Sequence, residues 1–111
     1  MTFSPWKVPI DMDWIRQMAR IKPKEFNSEI LRTGIAAEID AINLYTQMSY
    51  MTSSTDIAAL LLDIAKEEKT HIGEFAALLL NFDEQQAEEL MAGQEEVEEM
   101  GIEVLHPILI K

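Results

Sequence analysis

ILRTGIAAEIDAINLYTQM (30–48) and LLDIAKEEKTHIGEFAALLLNFD (61–83) are the two stretches whose reading decides the fold. In the first, Ile30, Leu31, Gly34, Ile35, Glu38, Ala41, Ile42, Tyr45 and Met48 recur at steps of three and four. That is the spacing of one helical face. In the second, Ile64, His71, Phe75, Leu78 and Leu79 follow the same rhythm, continuing from Ile57, Leu60 and Leu61. Thr52, Ser53, Ser54, Thr55 and Asp56 lie between and form a polar break, with Asp56 the expected N-cap of the second helix. Two long helices joined by so short a link must run antiparallel.

Each apolar stripe carries a group that does not belong in a plain core. Glu38 interrupts the first, while Glu68 and His71 stand three residues apart on the second, near enough on one helix side to hold a metal ion together. By itself Glu-x-x-His means little in a chain with 14 Glu and 2 His. Position gives it weight. Glu38 and Glu68 each lie 15 residues from Ser53, so both sit about 22 Å from the turn on antiparallel helices and meet at one level. Carboxylates on a core stripe need paired charge or metal, because burying one alone costs several kcal/mol.

A di-iron helical bundle takes one Glu from each of two helices and Glu-x-x-His from each of the other two. One hairpin holds half of that set. A two-fold axis would supply the rest, so the expected fold is all-α: a two-helix hairpin that dimerises into a ferritin-like four-helix bundle, with short extra helices at the termini. Four carboxylates would then balance two divalent ions, whereas the empty site would oppose pairing by mutual repulsion.

Outward from the hairpin (27–82), residues 1–26 read as an arm with a short helix over Asp11–Arg20, ended by Pro23. Trp6 and Trp14 read as anchors of that arm on a neighbour. Residues 83–100 read as a short acidic helix capped by Asp83, running through Met91 and stopped by Gly93, with one or two further turns over Glu95–Met100. Residues 101–111, GIEVLHPILIK, form an apolar, extended tail. The tail either covers a subunit surface or serves as a shell-docking peptide.

Composition narrows the partners. With 20 acidic against 9 basic residues the 111-residue chain carries −11, which repels phosphate backbones and anionic headgroups. No nucleic acid and no membrane partner is expected. No cysteine is present, leaving His, Asp and Glu as the strong ligand types. The opening MTFSPWKVPIDMDW lacks the apolar run of a signal peptide, and a cytoplasmic protein is the expectation.

The residues also carry a resemblance. AEIDAINLY (37–45), followed by LLDIAKEEKTHIGEFAALLLNFD (61–83), resembles the encapsulated ferritin family, and most of all the ferritin-like segment at the N-terminus of some archaeal encapsulin shell proteins. The likeness runs from about Ile30 to Met100. It implies a metal-bridged dimer with a ferroxidase centre, a ring of dimers (a decamer), and residence in an encapsulin nanocompartment that stores iron. Glu38, Glu68 and His71 match the family's iron ligands, and Tyr45 matches an aromatic beside the site. Ala37 and Leu44 stand where some members have Glu and Trp, leaving Asp40 as the remaining member of a secondary metal-attracting site.

Among lesser candidates, Tyr45 either fills the core or donates a hydrogen bond to a metal-bound carboxylate. Glu67 reaches His71 across one turn, against the simpler reading of a surface ion pair with Lys66 or Lys69. The methionines read as adaptable packing and His106 as exposed. The function expected is oxidation of Fe(II) to Fe(III). Its rivals are a rubrerythrin-like peroxidase on the same ligands, and a non-catalytic module assembled by zinc, manganese or calcium.

Overall fold

The computed structural model describes residues 23–108, and among them are three helices and no strand: α1 (Pro23–Met51), α2 (Thr55–Phe82) and α3 (Glu84–Glu99). The short helix expected over Asp11–Arg20, and Trp6 and Trp14, lie outside the described residues. α1 and α2 pack against each other as the hairpin, and α3 makes its contacts chiefly with α2.

α1 opens at Pro23, ahead of the expected start near Asn27. Pro23 was expected to break a helix, and here it begins one. The first helical position needs no backbone N–H and suits the fixed φ of proline. Glu25 in the same turn adds negative charge where the helix dipole favours it.

The cap of α2 also differs from expectation. Ser54, in extended conformation (φ −87, ψ 120), accepts a hydrogen bond from the Ile57 N–H at 3.2 Å and is the N-cap. Asp56 lies inside the first turn instead, contributing charge rather than a cap. Thr52 completes the corner: its hydroxyl oxygen accepts from the Ser54 N–H at 3.1 Å, and its own N–H reaches back to the Met48 carbonyl.

Only Leu61, Ala65 and Leu79 are buried apolar residues among those described, and all three lie on α2. α1 answers them with small polar residues, Ser28 and Ser49, buried towards its two ends. The Ser49 hydroxyl is satisfied by the Thr46 carbonyl at 2.6 Å. No described side chain is fully buried, while Ile30, Ile39, Leu60, Leu62 and Leu78 are all about half exposed. A hairpin has one inner seam, and most of its apolar surface faces away from that seam.

α3 is a single helix, not the two short pieces expected around Gly93. An isolated glycine costs about 1 kcal/mol within a helix, and the Glu, Gln, Leu, Met and Ala around it carry the helix across. The terminator is Gly101 (φ +84), whose N–H bonds the Glu98 carbonyl at 2.9 Å. Asp83 caps α3 as expected, one oxygen accepting from the Gln86 N–H at 3.0 Å. Its other oxygen pairs with Arg32 of α1, so one side chain both starts α3 and ties it to the hairpin. Beyond Gly101 the tail turns back rather than running on extended. The Ile108 N–H donates to the Gln94 side-chain oxygen at 3.0 Å, leaving Ile102, Leu105 and Ile108 exposed. No helix among the described residues is long and apolar enough to cross a membrane.

Candidate metal centre

Glu38 on α1 and Glu68 and His71 on α2 come together midway along the hairpin, with one ligand atom of each within 4.8 Å of the others. They are the group among the described residues that has the donors and closeness to hold a metal ion. His71 Nδ1 lies 3.3 Å from Glu68 Oε2 and 3.5 Å from Glu38 Oε2. The equal distance of the two glutamates from the turn, read from the sequence, is what brings them level.

The burial is uneven in a way that matters. Both glutamate side chains are 18% exposed, but the His71 side chain is 45% exposed. The carboxylates are sunk in the seam, and the imidazole sits at its open lip. Glu38 Oε2 is buried and has no hydrogen-bond partner. A buried carboxylate oxygen with no donor is costly unless a cation fills the gap. Two carboxylates and an imidazole are a hard-to-borderline donor set, which suits a divalent iron, manganese or zinc ion. The residues fit a metal.

On α2, Leu60, Ile64, His71 and Leu78 share one stripe, and Leu60 and Leu78 are 59% and 53% exposed. His71 thus lies on a stripe whose ends are apolar, while its neighbours one turn away include the exposed Glu67 and Glu74. Phe75, one turn beyond His71, rests its ring on the backbone of Gly34, one turn before Glu38. Sequence reasoning placed both on apolar stripes without pairing them. A glycine within an otherwise good helix stripe, level with an aromatic on the facing helix, was the available signal.

The other candidates stay outside the cluster. Tyr45 is half-buried on the Glu38 side of α1, while Asp40 and Glu67 are exposed. Glu67 does not form the expected ion pair with Lys66 or Lys69.

The family model described as rubrerythrin matches residues 29–105, which include all three candidate ligands. The crystal structure of the encapsulated ferritin domain from Pyrococcus furiosus superposes with a TM-score of 0.72 at 45% identity, covering 94% of this chain and 99% of that one. The chain belongs to the encapsulated ferritin family. This encapsulated ferritin is also 55% identical over 87 residues to a ferritin-like–encapsulin shell fusion protein of Pyrococcus furiosus, covering 76% of the chain and 25% of that protein. It is 39% identical over 57 residues to the encapsulin nanocompartment cargo protein EncC of Myxococcus xanthus, covering 51% of the chain and 44% of that protein. The chain therefore spans a quarter and under half of the lengths of these two relatives. Its helical architecture is that of a ferritin-like protein, and such a family fits an oxidoreductase.

Proposed function

We propose that this encapsulated ferritin is a ferroxidase whose di-iron site is completed when two copies pair across the open face of the hairpin. The observation that carries the proposal is Glu38 Oε2, buried and unpartnered 3.5 Å from His71 Nδ1, in a cluster holding half the ligands of a di-iron bundle site. The half-exposed Leu60 and Leu78, three turns before and two turns after His71 on its stripe of α2, supply apolar surface for a second copy to cover.

In the paired site Glu38 and Glu68 of each copy would hold the ions, and His71 would add an uncharged donor that leaves four carboxylates to balance two divalent ions. A second copy covering the half-exposed His71 would exclude water from it and strengthen each interaction between ligand and ion. Iron bound there would be the substrate: two Fe(II) would give one electron each, which with two protons turn dioxygen into hydrogen peroxide or hydrogen peroxide into two waters, and would leave as Fe(III) for storage. Asp40 and Glu67, both exposed, are proposed to attract incoming cations, and Tyr45 to hydrogen-bond a ligand carboxylate. The relatives' shell fusion and cargo roles support residence within an encapsulin nanocompartment, and we propose that the Fe(III) is stored there, in the cytoplasm, by pairs joined in a ring.

The test is an anaerobic Fe(II) titration, expected to saturate near one iron per chain and to give Fe(III) on admitting air. Full oxidation by the Glu68→Ala variant would overturn the assignment. Mass measurement supplies a second check, with Fe(II) expected to shift wild type towards an even number of copies. Equal, metal-independent association of wild type and Glu38→Ala would remove the shared site.

A further inference from the structure

A Cβ added to Gly34 would stand 3.0 Å from Cε1 and Cζ of Phe75 and 3.1 Å from Cδ1, inside the 3.4 Å at which ordinary contact begins. The ring therefore rests directly on the backbone of α1. By contrast, Gly73 and Gly93 have open space where a Cβ would go, so their lack of a side chain serves no packing contact.

The position of this contact is informative. Gly34 is four residues before Glu38, and Phe75 is four residues after His71, so the contact lies one turn from the ligands on the same side of both helices. Side chains on a helix lean towards its N-terminus, which directs the Phe75 ring back over the turn that carries His71. A glycine in the middle of a 29-residue helix opposes helix propensity. Conflicts of that kind between local preference and structure concentrate where a site imposes its own geometry.

We propose that Gly34 and Phe75 form a spacer that sets the separation of α1 and α2 at the metal centre and so holds His71 at its distance from Glu38. Both are positioning residues for a divalent first-row metal, and the inference rests on the metal-centre reading. With glycine at 34 the ring can lie flat against α1. With a methyl group there, the ring or α2 must give by a few tenths of an ångström, and such a shift of α2, or of the ring towards His71, moves the imidazole relative to Glu38 on the facing helix.

The test uses Co(II), whose visible absorption reports coordination number and geometry, titrated into the full chain in its native assembly. Gly34→Ala is expected to keep or gain helical ellipticity, yet to bind Co(II) about tenfold more weakly with an altered band, in the range of changes made just outside a ligand shell. Gly34→Ala/Phe75→Leu, which removes the ring that the methyl strikes, is expected to recover affinity and band. An unchanged titration and band for Gly34→Ala, or a double variant as weak as the single one, overturns the spacer. If Gly34→Ala loses its helicity, Phe75→Leu alone decides: weaker binding with a changed band supports the spacer, and wild-type behaviour overturns it. A Glu38→Gln control separates the two ideas. A wild-type band that does not depend on Glu38 overturns the metal centre and the spacer together, whereas a Glu38-dependent band indifferent to Gly34→Ala overturns the spacer alone.

Discussion

The hairpin and α3 are helices of the same chain held in place by different physics. α1 and α2 share a seam with all the buried residues described, and their facing sides converge on Glu38, Glu68 and His71. α3 has no buried residue, and depends on the Asp83 cap, the Asp83–Arg32 pair and the helix-forming residues within it. The hairpin is fixed by what it packs against, and α3 by what it is made of. Damage should therefore spread through the first and stay local in the second.

The harshest challenge to that contrast is His71→Ala. Removing a ligand should weaken iron binding by about 100-fold or more, beyond what outer partners of a metal site are worth, while circular dichroism stays that of the wild type. Calorimetric titration under nitrogen checks the first half and a far-ultraviolet spectrum the second. Next comes the seam: Leu79→Ala should cost about 2–4 kcal/mol in urea unfolding. Leu90→Ala, at a half-buried position of α3, should cost under about 1 kcal/mol, since less of its side chain leaves water on folding. Equal costs at the two leucines would break the comparison. Asp83→Ala should lose about 1 kcal/mol, seen as faster amide exchange across residues 84–99, with metal affinity unmoved. The smallest effect has the opposite sign. Gly93→Ala, with open space around it, should slow exchange in α3 by about 0.5–1 kcal/mol of local stability.

Much of the hairpin and its candidate ligands was legible because two periodicities and one distance overdetermine it. Glu38 and Glu68 fall on apolar stripes at equal distance from a polar turn, and antiparallel packing then leaves them nowhere else to be. The boundaries were less legible, each for its own reason. Pro23 can stop a helix or begin one, depending on neighbours the sequence does not order. Ser54 and Asp56 are both good caps, and only the chain's path through the corner selects Ser54. Gly93 is a weak breaker that strong formers on both sides outvote, which residue-by-residue reading does not weigh. The Arg32–Asp83 pair joins residues 51 apart in sequence and has no local signal at all. Tyr45 and Asp40 are singled out by the family resemblance and Glu67 by its spacing from His71.

The half-exposed imidazole of His71 also has a kinetic meaning. On the two-copy reading, a solitary chain owns three donors and cannot hold two ions between them, so iron oxidation should rise with the square of protein concentration when copies are scarce. Dilution would then act as an off switch. A chain released at low abundance would do little redox chemistry in the open cell, whereas confinement in a small enclosed volume would bring copies to the density at which the reaction runs.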